Sequence, residues 1–330
     1  MADRAAGSGY APSPMPFEID VVVTAYGRYD LTASCLAHLK QQTVEHKLTV
    51  VVNGSVNGEA ASIRRDFPAA SVIELESNRG FAEATNIGVA AGDGDVVVLL
   101  NNDVDCDPTF LEELVRPLEE DRSAGSTAAL LLQPGRMRVD SIGLAADPTL
   151  ACFPRHQGLA RSSALNCALV LAGPAGAGAA YRRSAWEEVG GLEENLVAYM
   201  EDFELALRLR GAGWSAAVAP DAMAVHLGSA TFLHRSEFQI RSGGFGRGYL
   251  LRRYGVLQSR SAPRAALTEA LVVVTDAVIS RDTAALAGRL AGWHAARGLP
   301  RRKRPPAAAI DEQIGFLESL RLRRAAYRRS

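Results

Sequence analysis

No stretch of this sequence offers a bilayer twenty unbroken apolar residues. The nearest approach, Ser162–Tyr181, carries no charge, but Gly173, Pro174, Gly176 and Gly178 interrupt it and much of it is Ala and Gly. It reads as a strand followed by a tight loop rather than a membrane span. Cysteine is scarce, and Cys35, Cys106, Cys152 and Cys167 include no CxxC pair. That excludes a zinc ribbon or a disulfide framework and implies reduced, mostly buried thiols in a cytoplasmic protein. Net charge is missing too: 36 Lys/Arg against 37 Asp/Glu leave −1, which argues against a globally basic nucleic-acid binder. The opening MADRAAGSGYAPSPMP lacks an apolar signal core, so residues 1–16 are expected to be a flexible tail.

What the sequence does have is alternation. IDVVVTA (19–25), LTVVVN (48–53), SVIEL (71–75) and VVVLL (96–100) read as strands, with further strands near 165–171 and 179–182. Helical patterns lie between them: LTASCLAHLKQQ after an Asp30 cap, FAEATNIGVAAG (81–92), and EDFELALRLRGAG (201–213) closed by Gly211 or Gly213. Residues 133–163 read as loop with short elements. Strands alternating with helices predict an α/β fold with a mostly parallel sheet flanked by helices. At 330 residues the chain has room for one catalytic domain, 17–230, and a helical C-terminal region, 231–330. That region is expected to pair ALTEALVVVTDAVI (266–279) with AALAGRLAGWHAARG (284–298) and to end in a helix over 310–329.

Open parallel sheets gather ligands at the carboxyl ends of their strands, and one strand here ends in acids: VVVLLNNDVDCDP (96–108). Asp107 before Pro108 reads as the N-cap of the next helix. Asp103 and Asp105 flank Val104 at a spacing that, in extended chain, turns both carboxylates the same way. Two such carboxylates need a cation or hydrogen-bond donors between them; a solvated polar turn is the alternative.

Six segments taken together resemble the family 2 inverting nucleotide-sugar glycosyltransferases, in particular their rhamnosyltransferase-like bacterial members. They are VVVTAYGRYD (21–30), VVVNGSVNG (50–58), SNRGFAEATNIGV (77–89), LLNNDVDCDP (99–108), GAGAAYRRSAWEEVGGLEENLVAYMEDFELALRLRGAGW (176–214) and AVHLGSAT (224–231). The resemblance implies a GT-A fold, Rossmann-like, and transfer of a sugar with inversion from a UDP- or dTDP-sugar to an acceptor hydroxyl. It implies Mg²⁺ or Mn²⁺, with Asp105 and His226 as metal ligands and Asp103 beside the nucleotide. Asp202 becomes the general base, with Glu201 and Gly176 on the acceptor side. Thr24, Ala25 and Tyr26 would line one wall of the nucleotide pocket and Asn78, Arg79, Gly80 and Asn86 the other, Gly80 allowing close backbone approach. Arg208, on the helix of Asp202, is expected in a structural ion pair.

One departure concerns the donor base. Val52 stands where the family pattern has an Asp, and a valine accepts no hydrogen bond. Two other functions fit parts of the sequence: a nucleotidyltransferase, which leaves EDFEL unexplained, and a non-catalytic nucleotide-sugar-binding subunit, which Val52 favours. The acceptor class stays open among a saccharide, a glycolipid and a natural product. Residues 297–330 hold ten Lys/Arg against three acids. A peripheral contact with the inner face of the membrane and a solvated packing or homodimer face both fit that excess.

Overall fold

The computed structural model describes residues 17–54, 56–165, 170–228, 236–281 and 283–327. In chain order come β1 (Ile19–Ala25), α1 (Tyr29–Leu39), β2 (Lys47–Asn53), α2 (Glu59–Asp66), β3 (Ser71–Leu75), α3 (Phe81–Ala90), β4 (Val96–Asn101), β5 (Val104–Cys106), α4 (Phe110–Glu120) and β6 (Ala124–Leu132). The middle of the chain forms β7 (Val139–Ser141), β8 (Leu144–Ala146), β9 (Cys152–Pro154), α5 (Arg161–Ala164), β10 (Gly178–Arg182), α6 (Arg183–Val189), α7 (Glu201–Ala212) and β11 (Ser215–His226). Then come α8 (Glu237–Arg253), α9 (Ala262–Ser280), α10 (Ala284–Ala295) and α11 (Phe316–Tyr327).

One sheet carries the order β3-β2-β1-β4-β10-β6-β11-β5, with β7 on the flank of β6. β1 to β4 run parallel, β10 enters antiparallel between β4 and β6, β11 runs parallel to β6, and β5 pairs antiparallel with β11. The sheet is therefore mostly parallel, as the alternating pattern implies. Its valine-rich strands need apolar cover on both faces. α1, α2 and α4 bury Leu36, Ile63 and Leu114 against one face. α3, α6 and α7 bury Val89, Trp186 and Leu205 against the other.

This topology decides where chemistry gathers. The carboxyl ends of β1, β2, β4, β6 and β11 share one edge. Because β10 is reversed, its amino end comes to the same edge, where Asn101 N donates to Ala177 O at 3.1 Å.

Several local expectations need correction. Asp107 does not cap α4: the N-cap is Thr109 without a side-chain bond, and the Asp107 carboxylate takes both arms of Arg136 at 2.8 and 2.5 Å. Asp30 lies inside the first turn of α1 and pairs with Arg28. Of the strand expected near 165–171, Leu165 follows α5, Val170 and Leu171 are outside any strand, and 166–169 lie outside the described residues. The last helix begins at Phe316, because 310–315 form a turn in which Gln313 N is bonded to Asp311. Gly213 closes α7 with φ +107°, one of the two stops expected.

The C-terminal helices show two unusual features. α8 and α10 cross through Gly244, Gly248, Gly288 and Gly292, where a Cβ on Gly248 would run into Arg289 O and one on Gly292 into Phe245 O. Small residues four apart are what allow two helix backbones to touch. α9 is inside out: Glu269 and Asp276 are buried, while Leu267, Leu271, Val274 and Val278 are exposed at helical spacing. Among the described residues no helix is long and apolar enough to cross a membrane.

Candidate active site

The acid-rich end of β4 is a turn rather than extended chain, so the i, i+2 argument for Asp103 and Asp105 fails at Asp103. Asn102 and Asp103 turn, and β5 restarts at Val104. The two carboxylates consequently have different partners. Asp103, only 6 % exposed, faces His226 Nε2 at 3.4 Å. Asp105 Oδ1 accepts from Ser34 Oγ at 2.8 Å and lies 3.3 Å from His38 Nδ1, both on α1.

His226 ends β11, where it pairs with Val104, and Leu227 N donates to Asp103 O at 3.0 Å. Its Nδ1 lies 2.8 Å from Asp140. Burial alone would depress the imidazole. Asp103 and Asp140 outweigh that and raise it to about 10, so without a cation the ring is an imidazolium between two carboxylates. A histidine fixed by a carboxylate at one nitrogen and turned toward a second at the other has the orientation of a metal-ligating imidazole with its supporting shell. The residues present therefore fit a divalent cation at the meeting of β4, β5 and β11. Among the described residues no three His, Cys, Asp or Glu side chains converge tightly enough to hold one alone. Phosphate oxygens and water would complete the shell of such a hard cation.

Across the edge, Asp202 occupies the first turn of α7. Gly176 N donates to Oδ2 at 2.9 Å and Phe203 N to Oδ1 at 2.6 Å. Two backbone donors and a helix amino terminus favour the carboxylate, but burial opposes them and prevails, raising its pKa. Glu201 beside it is pushed up to about 8 by burial first and then by the charge of Asp202. Glu201 Oε2 is buried with no hydrogen-bond partner among the described residues. Burial thus works against a second negative charge on the pair, and Glu201 is the member that keeps its proton at neutral pH. Tyr199 and Met200, just before α7, adopt φ of +68° and +76°. Such conformations in non-glycine residues cost of order 1–3 kcal/mol each and gather at functional sites.

The walls assigned to a nucleotide are less uniform than expected. Thr24 Oγ1 and Thr85 Oγ1 are 3.0 Å apart, and Tyr26 is half-buried. Ala25 and Val52 are both fully buried in the apolar cluster beneath β1 and β2. Ala25 can offer a ligand only main chain, and Val52 no side chain at all. The Asn86 amide clasps Leu192, taking its N–H and giving to its O, both at 2.9 Å. Gly80 does allow a close backbone approach, but to Val197, into which a Cβ would run. Asn78 Oδ1 accepts from Gly80 N at 2.8 Å, while the Arg79 guanidinium, half exposed, reaches Glu83 at 3.1 Å.

The sequence reading missed several supports. Asn53 ties β2 to the 78–80 loop, accepting from Arg79 N at 2.8 Å and donating to Gly80 O at 2.9 Å. Buried Glu59 holds Gly27 N at 2.7 Å and Thr32 at 3.2 Å, fixing the loop after β1. Asn53 and Glu59 lie in or next to VVVNGSVNG, but nothing in the sequence marked Asp140. Arg208 makes the structural ion pair expected of it, with Glu204 at 2.6 Å.

The carboxyl-end edge thus carries a carboxylate–histidine corner at Asp103 and His226 and a buried carboxylate pair at Glu201 and Asp202. A histidine beside a carboxylate can take part in holding a cation, and a carboxylate can accept a hydroxyl proton.

The model of "Glycosyl transferase family 2" matches residues 20–190, just over half of the chain. An N-acetylglucosaminyl-diphospho-decaprenol L-rhamnosyltransferase from Mycobacterium tuberculosis is 28 % identical over 232 residues, 63 % of this chain and 75 % of that one. Among solved structures, a mannosyltransferase from Pyrobaculum calidifontis in complex with GDP-Man and Mn²⁺ aligns at TM-score 0.52 and 17 % identity, over 88 % of each chain. GalNAc-T7 with UDP, GalNAc and Mn²⁺ aligns at TM-score 0.59 and 14 % identity, over 77 % of this chain and 50 % of that one. At those identities the two structures speak for the fold, which is GT-A.

Proposed function

This chain belongs to glycosyl transferase family 2, and from that premise we propose an inverting transfer from a UDP- or dTDP-sugar to an acceptor hydroxyl, with Asp202 as the base. The carrying observation is the Asp202 carboxylate, held by Gly176 N and Phe203 N on the edge that bears Asp103 and His226. In a single displacement Asp202 accepts the hydroxyl proton as the oxygen attacks the anomeric carbon from the face opposite the leaving diphosphate. Glu201, held protonated by burial, adds no second negative charge beside Asp202. A positioned base contributes about 10²–10⁴-fold.

Asp103, Asp105 and His226 are the residues that would hold Mg²⁺ or Mn²⁺, with Asp103 also toward the nucleotide. A bound cation would neutralise charge on the leaving diphosphate. Thr24, Tyr26, the main chain of Ala25, and Asn78–Gly80 form the nucleotide side. The pyrimidine makes no side-chain contact with Val52. We take 17–230 as the catalytic unit and 231–330 as the acceptor-side helical region. The rhamnosyltransferase named above acts on a sugar linked through diphosphate to a polyprenol, and we propose a lipid-linked saccharide of that kind as the acceptor here, met at the inner face of the membrane.

The test is Asp202→Asn assayed for donor hydrolysis and for transfer. Transfer should fall by about 10²–10⁴-fold while nucleotide binding persists. Full activity in this variant would remove Asp202 as the base.

A further inference from the structure

Behind the acceptor side lies a cavity of about 750 Å³ that the catalytic reading does not use. That volume is within the range of small-molecule sites, roughly 300–1,000 Å³. The β8–β9 hairpin, α8, α9, the turn before α11 and α11 itself enclose it. Phe153, Ile240, Val272, Ile314 and Leu322 give it an apolar wall.

Its polar side carries Arg155, Arg289 and Arg323, and behind that wall lie Arg247 and Glu269. Arg247, Arg289 and Arg323 converge on the single carboxylate of Glu269 at 2.7, 2.8 and 3.3 Å. Arg264 is matched by Asp147 at 3.0 Å, and buried Arg155, also on the wall, gives a nitrogen to Val170 O. Asp276 is a buried carboxylate on the wall. Among the described residues, five guanidiniums on and behind the wall meet the three carboxylates Glu269, Asp147 and Asp276. At the mouth, Arg321 pairs with Glu318, and Asp311 bonds its own turn. Charges taken out of water are costly unless matched, and this inner surplus is positive. It registers in two groups: burial would raise Glu269, yet the three arginines bring it down to about 2. Arg323 is lowered by burial and by its arginine neighbours despite Glu269. Arg323 Nε is buried without a partner among the described residues.

The cavity adjoins the reacting end of the molecule. Cys152 on its wall packs in the same cluster as Met200 and Phe203, and its thiol is pushed up by burial and by the charge of Asp202. Gln239, also on the wall, donates to Tyr199 Oη at 2.9 Å, two residues before Glu201. α9 completes the picture, since it turns its acids toward the cavity and an uncharged apolar face outward. An apolar wall, a buried cationic patch and an uncharged outer helix face together match one ligand chemistry.

We propose that this cavity binds the phosphate-bearing head and first apolar segment of an amphiphilic acceptor, the arginine cluster taking the phosphate and the Phe153–Ile240–Leu322 wall the chain. This rests on the reading of the chain as a transferase with a lipid-linked acceptor and gives that acceptor a seat.

Gly243 supplies the test. It lies inside α8 on the cavity wall, and a Cβ there meets nothing within 4 Å. Gly243→Ala, Gly243→Leu and Gly243→Phe therefore add bulk in steps at a wall position where the Cβ itself is unobstructed, while improving helix propensity. Farnesyl diphosphate is titrated calorimetrically into each full-length protein in EDTA, so that no cation recruits the diphosphate to the donor site. Saturable binding is expected for the wild type, falling stepwise to at least tenfold weaker in Gly243→Phe at unchanged melting temperature. Farnesol and inorganic pyrophosphate should each bind the wild type at least tenfold more weakly than farnesyl diphosphate. Absence of saturable binding, equal affinity across every folded variant of the series, or equal affinity for either half-ligand would overturn the proposal. Donor hydrolysis by the wild type reports on the catalytic reading separately: its absence with farnesyl diphosphate binding intact would fail that reading alone.

Discussion

Replacing Glu201 by Gln should make the protein more stable, and increasingly so as pH rises. The carboxyl is buried, its Oε2 has no partner, and it sits beside the charge of Asp202, which together lift it from 4.5 to about 8. A carboxyl that holds its proton more tightly folded than unfolded stabilises the fold fully below its unfolded pKa. That contribution is lost as pH climbs toward the folded value. The window is therefore pH 4.5 to about 8. A gap of about 3.5 pH units at about 1.4 kcal/mol each is on the order of 5 kcal/mol. Gln is nearly isosteric and never ionises, so it escapes this loss. Urea unfolding at pH 5, 7 and 9 should show wild type and Glu201→Gln close together at pH 5. By pH 9 the variant should lead by several kcal/mol; even a third of the full figure is readable. Transfer at pH 7 should persist in Glu201→Gln, because Glu201 is already neutral there. Parallel pH–stability curves for the two proteins would refute the reasoning, and loss of transfer as deep as in Asp202→Asn would move the base to Glu201.

Three further outcomes are expected. EDTA should abolish transfer, and Mn²⁺ or Mg²⁺ should restore it to the wild type but not to His226→Ala, measured by product formation across a cation titration. Gly292→Ala should cost about 1–3 kcal/mol by chemical unfolding, the usual range for overpacking, because its Cβ would meet Phe245 O at the α8–α10 crossing. Asp107→Asn should cost under about 1 kcal/mol, since the Asp107–Arg136 pair is 25 % and 42 % exposed; a larger loss in urea unfolding would give Asp107 a role its surroundings do not suggest.

The parallel half of the fold was legible because its strands are continuous valine-rich runs. β1 and β3 fall on the residues the pattern marked. β6 and β11 were not anticipated: AGSTAALLL is half small residues, and SAAVAPDAMAVH contains a proline and an aspartate. Neither has the β-branched density that distinguishes a strand from a loop. Asp107 misled because Asp-Pro is a helix-start signal, and the partner that claimed it, Arg136, lies 29 residues away. The clasp of Asn86 on Leu192 was not legible, because a side-chain amide that holds a distant backbone looks the same in sequence as one that meets a ligand. Asp202 stood out through the resemblance of its EDFEL segment to the family pattern, whereas Asp140, behind His226, comes from a different strand and left no local trace.

The sheet order also bears on how the protein is made. β5, the short strand carrying Asp105, has β11 as its neighbour in the sheet, and β11 leaves the ribosome more than a hundred residues later. β10 likewise slots between strands already synthesised. A nascent chain that has reached α6 can assemble β1 to β4 and the loops after them, yet Asp105 has no strand to lie against, and neither Asp202 nor His226 exists. Closing so long a loop is the slow kind of step in folding. The carboxyl-end edge of the sheet is thus completed only when its last strand, β11, has been made.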